Sequence, residues 1–507
     1  MAEIKKILVA NRGEIAVRVM RTCQEMGIQT VAVFSEPDRS APHVLMADQA
    51  VHIGAAQSSE SYLNMDKIMK VAHETGADAI HPGYGFLSEN AQFAERCKKE
   101  NIIFIGPDSY AIKMMGDKTR ARELMAKADV PFPPGTKTEL QDIEEAREVA
   151  EEIGFPVLIK AAAGGGGKGM RIIYEESGFE SGIKAAQSEA RSSFGDDRVY
   201  IEKYLENPRH VEFQIIADEH GNTLHLFDRE CSIQRRHQKV IEEAPCSILT
   251  DDMRSEMAEA AVAAAEACNY TGAGTIEFLV DKDRNFYFLE MNTRLQVEHP
   301  VTELITGKDL VELQIVVAEG KKIPFSQDEV TMQGHAIECR IYAEDPAENF
   351  LPSTGDLERH RIPSGPGVRV DSGVEEDQTI SVNYDPMISK LCVYARDREK
   401  AIQRMKRALR EYEIAGCRTT IPFCHYVMVH NAFTSREYDT HFVGTYFEPG
   451  EMSWLDDSGM DVINSVATAL LKQHHTKNGN AAESEPVHSS RNNGYSNWWV
   501  KRGNKKA

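Results

Sequence analysis

The tightest constraint on this chain is a pair of β-rich runs, residues 275–280 and 286–300, joined by Asp281-Lys282-Asp283-Arg284-Asn285. Five turn-forming residues between two such runs predict an antiparallel hairpin. Side chains alternate along a strand, so Glu290, Asn292, Arg294 and Gln296 are expected on one face, with Glu277 brought across from Glu290. Opposed carboxylates repel unless a cation lies between them, and a carboxylate, an amide and a guanidinium on one face suit a metal beside an anion. With only oxygen ligands nearby, the expected ion is Mg²⁺ or Mn²⁺ bridging nucleotide phosphates. The competing reading is a half-exposed strand with a polar outer face.

Size and charge narrow the setting. At 507 residues the chain exceeds one compact core, and about three domains are expected. A formal charge of −21 argues against nonspecific nucleic-acid or anionic-membrane binding, so any anionic substrate must be caught by local basic clusters. No apolar stretch is long enough to span a bilayer, and the apolar run of the amino terminus is too short for a signal sequence. Nine scattered cysteines without a Cys-x-x-Cys pair read as free thiols in a reducing compartment, which predicts a cytoplasmic protein.

Along the chain, apolar runs at 6–10, 30–34, 79–81 and 102–105 alternate with helical patterns at 15–26, 62–74 and 89–100. This predicts a doubly wound α/β domain reaching to about residue 116. The first turn carries only Gly13 and lacks Gly-x-Gly-x-x-Gly, which argues against an NAD-binding oxidoreductase. Further on, Gly164-Gly165-Gly166-Gly167-Lys168-Gly169 lies between strands at 155–160 and 171–174. A P-loop would lead into a helix, so this is read as a flexible hairpin whose backbone N–H groups fold over phosphates. Arg235-Arg236-His237-Gln238-Lys239 is the densest basic cluster of the central chain, a place for phosphate or bicarbonate to settle or else a solvated face.

Met115-Gly116-Asp117-Lys118, the glycine hairpin, Glu202-Lys203-Tyr204-Leu205, the 235–239 cluster and the run 290–300 together resemble the biotin carboxylases of the ATP-grasp superfamily. So do the segments 10–16 and 81–90, and the similarity extends from near residue 3 to about 445. The resemblance implies an α/β fold in parts: a Rossmann-like N-terminal domain (1–116), an ATP-grasp domain (117–320) with a mobile lid at about 133–203, a C-terminal α+β domain (330–447) and a tail (448–507). It implies that ATP phosphorylates bicarbonate and that the carboxyphosphate formed carboxylates biotin. Lys118, Lys160 and His210 would hold ATP, with Glu202, Lys203 and Leu205 around the adenine, Gly166 and Gly167 over the phosphates and His237 nearby. Glu277, Glu290 and Asn292 would hold the metal. Lys239 and Arg294 would position bicarbonate beside Gln296 and the Val297 backbone, Glu298 would be the general base, and Arg340, in the segment 334–346, would stabilise the biotin enolate. Lys168 departs from the Arg many relatives carry there; it lacks the planar fork for bidentate phosphate contact.

No Met-Lys-Met lies at a hairpin tip, so the expected partners are a biotinylated carrier on another chain and a carboxyltransferase subunit, with homodimerisation implied by the family. The alternatives are another ATP-grasp ligase, of carbamoyl-phosphate or purine-pathway type, and a non-catalytic carrier-binding scaffold. A short helix is expected at 460–473 in an otherwise disordered tail, where Trp498-Trp499-Val500 is either a partner contact or unstructured.

Overall fold

The computed structural model describes residues 3–136, 143–161 and 170–449, apart from the side chains of Lys118, Thr119, Ser193 and Phe194. The glycines 164–167, Lys168 and the expected 460–473 helix lie outside the described residues.

Strands β1 (Lys6–Val9), β2 (Gln29–Ser35), β3 (Gln49–Gly54), β4 (Ala79–His81) and β5 (Ile103–Phe104) form a parallel sheet in the order β3-β2-β1-β4-β5. Ile7, Leu8 and Val9 are all fully buried, as a parallel strand covered on both faces requires. The helix Gly13–Glu25 follows β1 and stops before Gly27, which takes φ +72°. The helices expected at 62–74 and 89–100 occupy Met65–Thr75 and Ala91–Lys99. Asn64 and Asn90 cap them by accepting from Lys67 N and Phe93 N, which sets their later starts.

A second, three-stranded antiparallel sheet contains β6 (Val157–Ala161), β7 (Arg171–Ile173) and β8 (Val199–Lys203) in the order β7-β6-β8. The helices Ile143–Ile153 and Phe179–Phe194 pack on it around a core of its own, with Ala146, Val157, Ile159, Phe179, Ile183 and Ile201. Both strands of the expected glycine hairpin are therefore present and paired.

The largest sheet has eight strands: β9 (Arg209–Ala217), β10 (Thr223–Arg235), β11 (Gln238–Ala244), β12 (Gly272–Val280), β13 (Phe286–Asn292), β14 (His335–Tyr342), β15 (Val368–Ser372) and β16 (Met387–Ala395). Their order is β13-β12-β9-β10-β11-β14-β16-β15, antiparallel throughout. On β9, Val211, Phe213 and Ile215 join the core that the helix Asp251–Ala267 closes. The alternate residues His210, Glu212 and Gln214 belong to the other face and are also buried. That second face, lined with charge, builds the site.

One expectation is corrected. The second strand of the hairpin does not run to residue 297; β13 ends at Asn292. Thr293 N turns to the carboxylate of Glu89 at 3.1 Å, and a helix with Pro300 in its first turn begins at His299. Arg294 and Gln296 are loop residues, and Glu298 caps a helix.

Candidate active site

The ladder register aligns four charged residues across four strands. Arg229 on β10 pairs with Glu212 on β9, Glu212 with Glu277 on β12, and Glu277 with Glu290 on β13. Directly opposed residues share a face, and strands lie about 4.8 Å apart, so three carboxylates stand in a row with a guanidinium at its end. Glu212 is fully buried and Glu277 nearly so, whereas Glu290 is exposed. Buried carboxylates in such a row require internal cations. Arg229, itself fully buried, donates Nε to Glu212 Oε1 at 2.6 Å. Its remaining N–H groups go to Gln214, Thr302, Thr275 and Gln296, at 2.7–3.1 Å.

Lys239 is the hub. Its ammonium lies 2.5 Å from Glu212 Oε2, 2.7 Å from Glu277 Oε1 and 2.6 Å from Glu298 Oε1. Three donors thus meet three carboxylates. Burial opposes its charge, but Glu212, Glu277 and Glu298 together hold its pKa well above the usual lysine range. The other oxygen of Glu298 accepts from Arg340 Nη2 at 2.9 Å, and Arg340 Nε donates to Glu242 Oε1 at 2.6 Å. Burial would raise the Glu298 pKa, yet Lys239, Arg340 and Arg229 outweigh it and hold the group far below the carboxylate range. Glu242 goes the other way: burial, countered by Arg340 and reinforced by the charge of Glu298, pushes it up to about 7.

Glu277 Oε1 also accepts from Asn292 Nδ2 at 2.9 Å and Gln296 Nε2 at 2.8 Å, and His210 Nε2 stands 3.0 Å from Oε2. Arg294 reaches Glu89 Oε2 at 2.9 Å and Asn292 Oδ1 at 2.8 Å. The sequence-predicted residues Lys239, Arg294, Gln296, Glu298, Arg340, Glu277, Asn292 and His210 are thus joined in one network, with Glu290 at the outer end of its row.

A second group sits on the three-stranded sheet. Glu202 is clasped by Lys160 and, at 2.9 Å, by Arg122 Nη1. Lys203 Nζ is tied to the carbonyls of Gly154 and Phe155, both at 3.0 Å, and Leu205 is half-buried. Burial raises the Tyr200 pKa, and the charges of Glu202 and Glu290 add to it.

The 235–239 cluster does not act as one basic patch. Arg236 and His237 form the β10–β11 turn at φ +50° and +67°, both exposed. Arg235 is held by Glu344 at 3.0 Å and lies over the Phe350 ring, which leaves Lys239 alone facing the carboxylates. Sequence reasoning missed Glu212, Arg229, Glu242 and Glu89. The period-two spacing from His210 pointed to Glu212; nothing local marks Arg229, fully buried within the charged run 228–230.

Oxygen donors favour a hard divalent cation. His210, Glu212 and Glu277 bring possible ligand atoms within 4.8 Å of one another. Glu212 is already neutralised by Arg229 and Lys239. Glu277 shares Lys239 with Glu212 but stands opposite exposed Glu290, so this pair, with Asn292 beside it, is the part of the row that fits a cation approaching from the open side.

Known proteins share this architecture. Residues 3–112 match the family model for the biotin carboxylase N-terminal domain, 117–326 that for the carbamoyl-phosphate synthase L chain ATP binding domain, and 338–445 that for the biotin carboxylase C-terminal domain. A pyruvate carboxylase subunit of Methanothermobacter thermautotrophicus is 52% identical over 488 residues, covering 96% of this chain and 99% of that protein. Biotin carboxylase 1 of Bacillus subtilis is 54% identical over 444 residues, covering 87% and 99%. Among solved structures, the biotin carboxylase domain dimer of Hydrogenobacter thermophilus 2-oxoglutarate carboxylase, in complex with MgADP, ADP and bicarbonate, superposes with a TM-score of 0.83. It is 48% identical, and the match covers 88% of this chain and 98% of that one.

Proposed function

The chain belongs to the biotin carboxylase family, and on that premise we propose that it phosphorylates bicarbonate with ATP and passes the carboxyl group to the ureido nitrogen of biotin. The observation that carries this is the Glu298 carboxylate held between Lys239 and Arg340, beside the Glu277–Glu290 pair.

Bicarbonate is an anion that must attack another anion, so it needs cations that fix its direction. Lys239 and Arg294 supply them, beside Gln296 and the Val297 backbone; Arg294 leaves Glu89 or Asn292 to do so. Glu298 takes the bicarbonate proton. It is ionised as a base must be, and it gains basicity when arriving bicarbonate draws Lys239 away from it. A bicarbonate oxygen then bonds to the γ-phosphorus as the bond to ADP breaks. The bond from the carboxyl carbon to phosphate then breaks, the departing phosphate takes the ureido N–H proton, and the nitrogen of the resulting biotin enolate, stabilised by the charge of Arg340 on the far side of Glu298, takes the carboxyl carbon. Lys118, Lys160, His210, Glu202, Lys203, Leu205, Gly166, Gly167 and His237 are assigned to ATP. A divalent ion at Glu277, Glu290 and Asn292, when bound, offsets phosphate charge during phosphoryl transfer.

Of the relatives that the chain spans almost completely, two are named as biotin carboxylases and one as one of the subunits of a pyruvate carboxylase. This supports biotin arriving on a separate carrier and leaving to a separate carboxyltransferase. The relatives are named for pyruvate and for 2-oxoglutarate, which supports placing acceptor choice outside this chain. Homodimerisation is part of the proposal and is read by light scattering. Among the described residues no helix is long and apolar enough to cross a membrane. Eight of the nine cysteines are buried free thiols, which fits a cytoplasmic setting.

The test is ADP release with bicarbonate and free biotin. Glu298→Gln is expected to lower bicarbonate-dependent turnover by roughly 10²–10⁴-fold while ATP binding persists. Unchanged turnover would remove Glu298 as the base. Stimulation by ammonia in place of biotin would move the chain to the carbamoyl-phosphate type of ligase.

A further inference from the structure

We propose that Lys390 is a positioning residue for this reaction, holding the bicarbonate-facing turn from behind; the inference deepens the proposed function and rests on it. Lys390 lies on β16, directly opposite Arg340 on β14 and opposite Asp371 on β15. It is one of the largest side chains in the protein with no exposure at all. Its ammonium donates to the carbonyl oxygen of Val297 at 3.0 Å, with Glu14 Oε2 at 3.0 Å and Asp371 Oδ2 at 3.9 Å. Each acid has a further partner, though only Asp371 has a further cation. Tyr84 donates to Glu14, and Arg369 Nη2 pairs with Asp371 at 2.7 Å.

Glu14 and Asp371 balance the charge of Lys390, and a further N–H of the same buried ammonium is committed to the Val297 carbonyl. The Val297 carbonyl belongs to the peptide that enters Glu298, so a fixed donor on it sets the plane of that peptide and the direction of the Glu298 Cα–Cβ bond. Two cations from facing ladder positions therefore bracket the turn: Arg340 holds the side chain of Glu298 and Lys390 the carbonyl just before it. With Lys390 replaced, the turn keeps its side-chain anchors and the bond between the Gln296 carbonyl and His299 but loses the hold on the Val297 carbonyl, and the bicarbonate contacts at 296–298 drift by the small distances to which positioning is sensitive.

The experiment compares wild type, Lys390→Met, Glu14→Gln and the double variant Lys390→Met/Glu14→Gln in the ADP-release assay. Removing the ammonium alone leaves Glu14 as a buried charge without its cation and endangers folding. The double variant removes both charges and leaves Asp371 its arginine. In the double variant the KM for bicarbonate is expected to rise about tenfold or more, with the KM for ATP within about twofold of wild type. Glu14→Gln, which keeps the lysine on Val297, is expected to hold a wild-type bicarbonate KM.

A double variant with lowered kcat and unchanged KM for both substrates would reduce Lys390 to a structural role and overturn the inference. So would a Glu14→Gln effect as large as that of the double. Absence of bicarbonate-dependent ADP release in the wild type would instead defeat the functional reading itself.

Discussion

Glu298 and Glu242 contact the same guanidinium, Arg340, yet their acidities diverge. Glu298 has a second cation, Lys239, and stays ionised. Glu242 is fully buried, is hydrogen-bonded by Arg340 with Lys239 acting more weakly, has one oxygen lacking a hydrogen-bond partner, and rises to about 7. The raised value makes the folded state bind the extra proton between the ordinary Glu value of 4.5 and about 7. Stability therefore falls as pH rises through that window and levels off above it. Glu242→Gln removes this contribution. Its melting temperature is expected to gain on wild type between about pH 5 and about pH 8, by up to roughly 3 kcal/mol of stability, as read by calorimetry across that range. Lys239, Arg294, Glu298 and Arg340 were legible through family motifs and Glu277 through the hairpin pattern. Glu212 was marked only by its spacing from His210 and Arg229 by nothing local, because a buried charge is identified by its partners, and those partners come from other strands.

At the scale of elements, the hairpin was legible because period-two alternation and a short turn leave one register, and Glu277 does pair with Glu290. The end of its second strand was not legible. Polar residues in a loop whose partners come from elsewhere, such as Arg294 on Glu89, alternate as a strand's do. The three-stranded sheet offers an element-level test. Gly135 forms a bridge to Glu202, and a Cβ there would stand 2.3 Å from the Ile201 carbonyl oxygen and 2.7 Å from Glu202 Cα. Gly135→Ala must displace β8, at a cost of about 1–3 kcal/mol to that sheet. Its amides are expected to exchange faster and the KM for ATP to rise, while the KM for bicarbonate holds, because Lys239 and Glu298 lie on other elements. Hydrogen exchange and steady-state kinetics read the two effects.

For the whole molecule, the N-terminal sheet is parallel and helix-covered as the alternating runs implied, while its edge strand β3 and the order β3-β2-β1-β4-β5 come from the structure alone. The continuity of the large sheet could not be read from the chain, since β11 and β14 are far apart in sequence and are joined by the pairing of Ile241 to Cys339 through Ala244 to Ala336. The matched ATP-binding region ends at 326 and the C-terminal one begins at 338, yet hydrogen bonds cross between them. Unfolding is accordingly expected to show the strands of this sheet melting together, with the three-stranded sheet, which has its own core, opening at lower denaturant; exchange monitored against urea distinguishes the two.

That shared ladder has a practical side. Chains shortened at residue 326 would leave β11 as a bare selvage, its amides and carbonyls seeking any passing strand, and such a fragment should come out of solution as aggregate. The same seam that forbids such tailoring keeps Glu298 and Arg340 at a fixed spacing, so that on the proposed reading a carrier arriving with biotin would meet a bench already clamped.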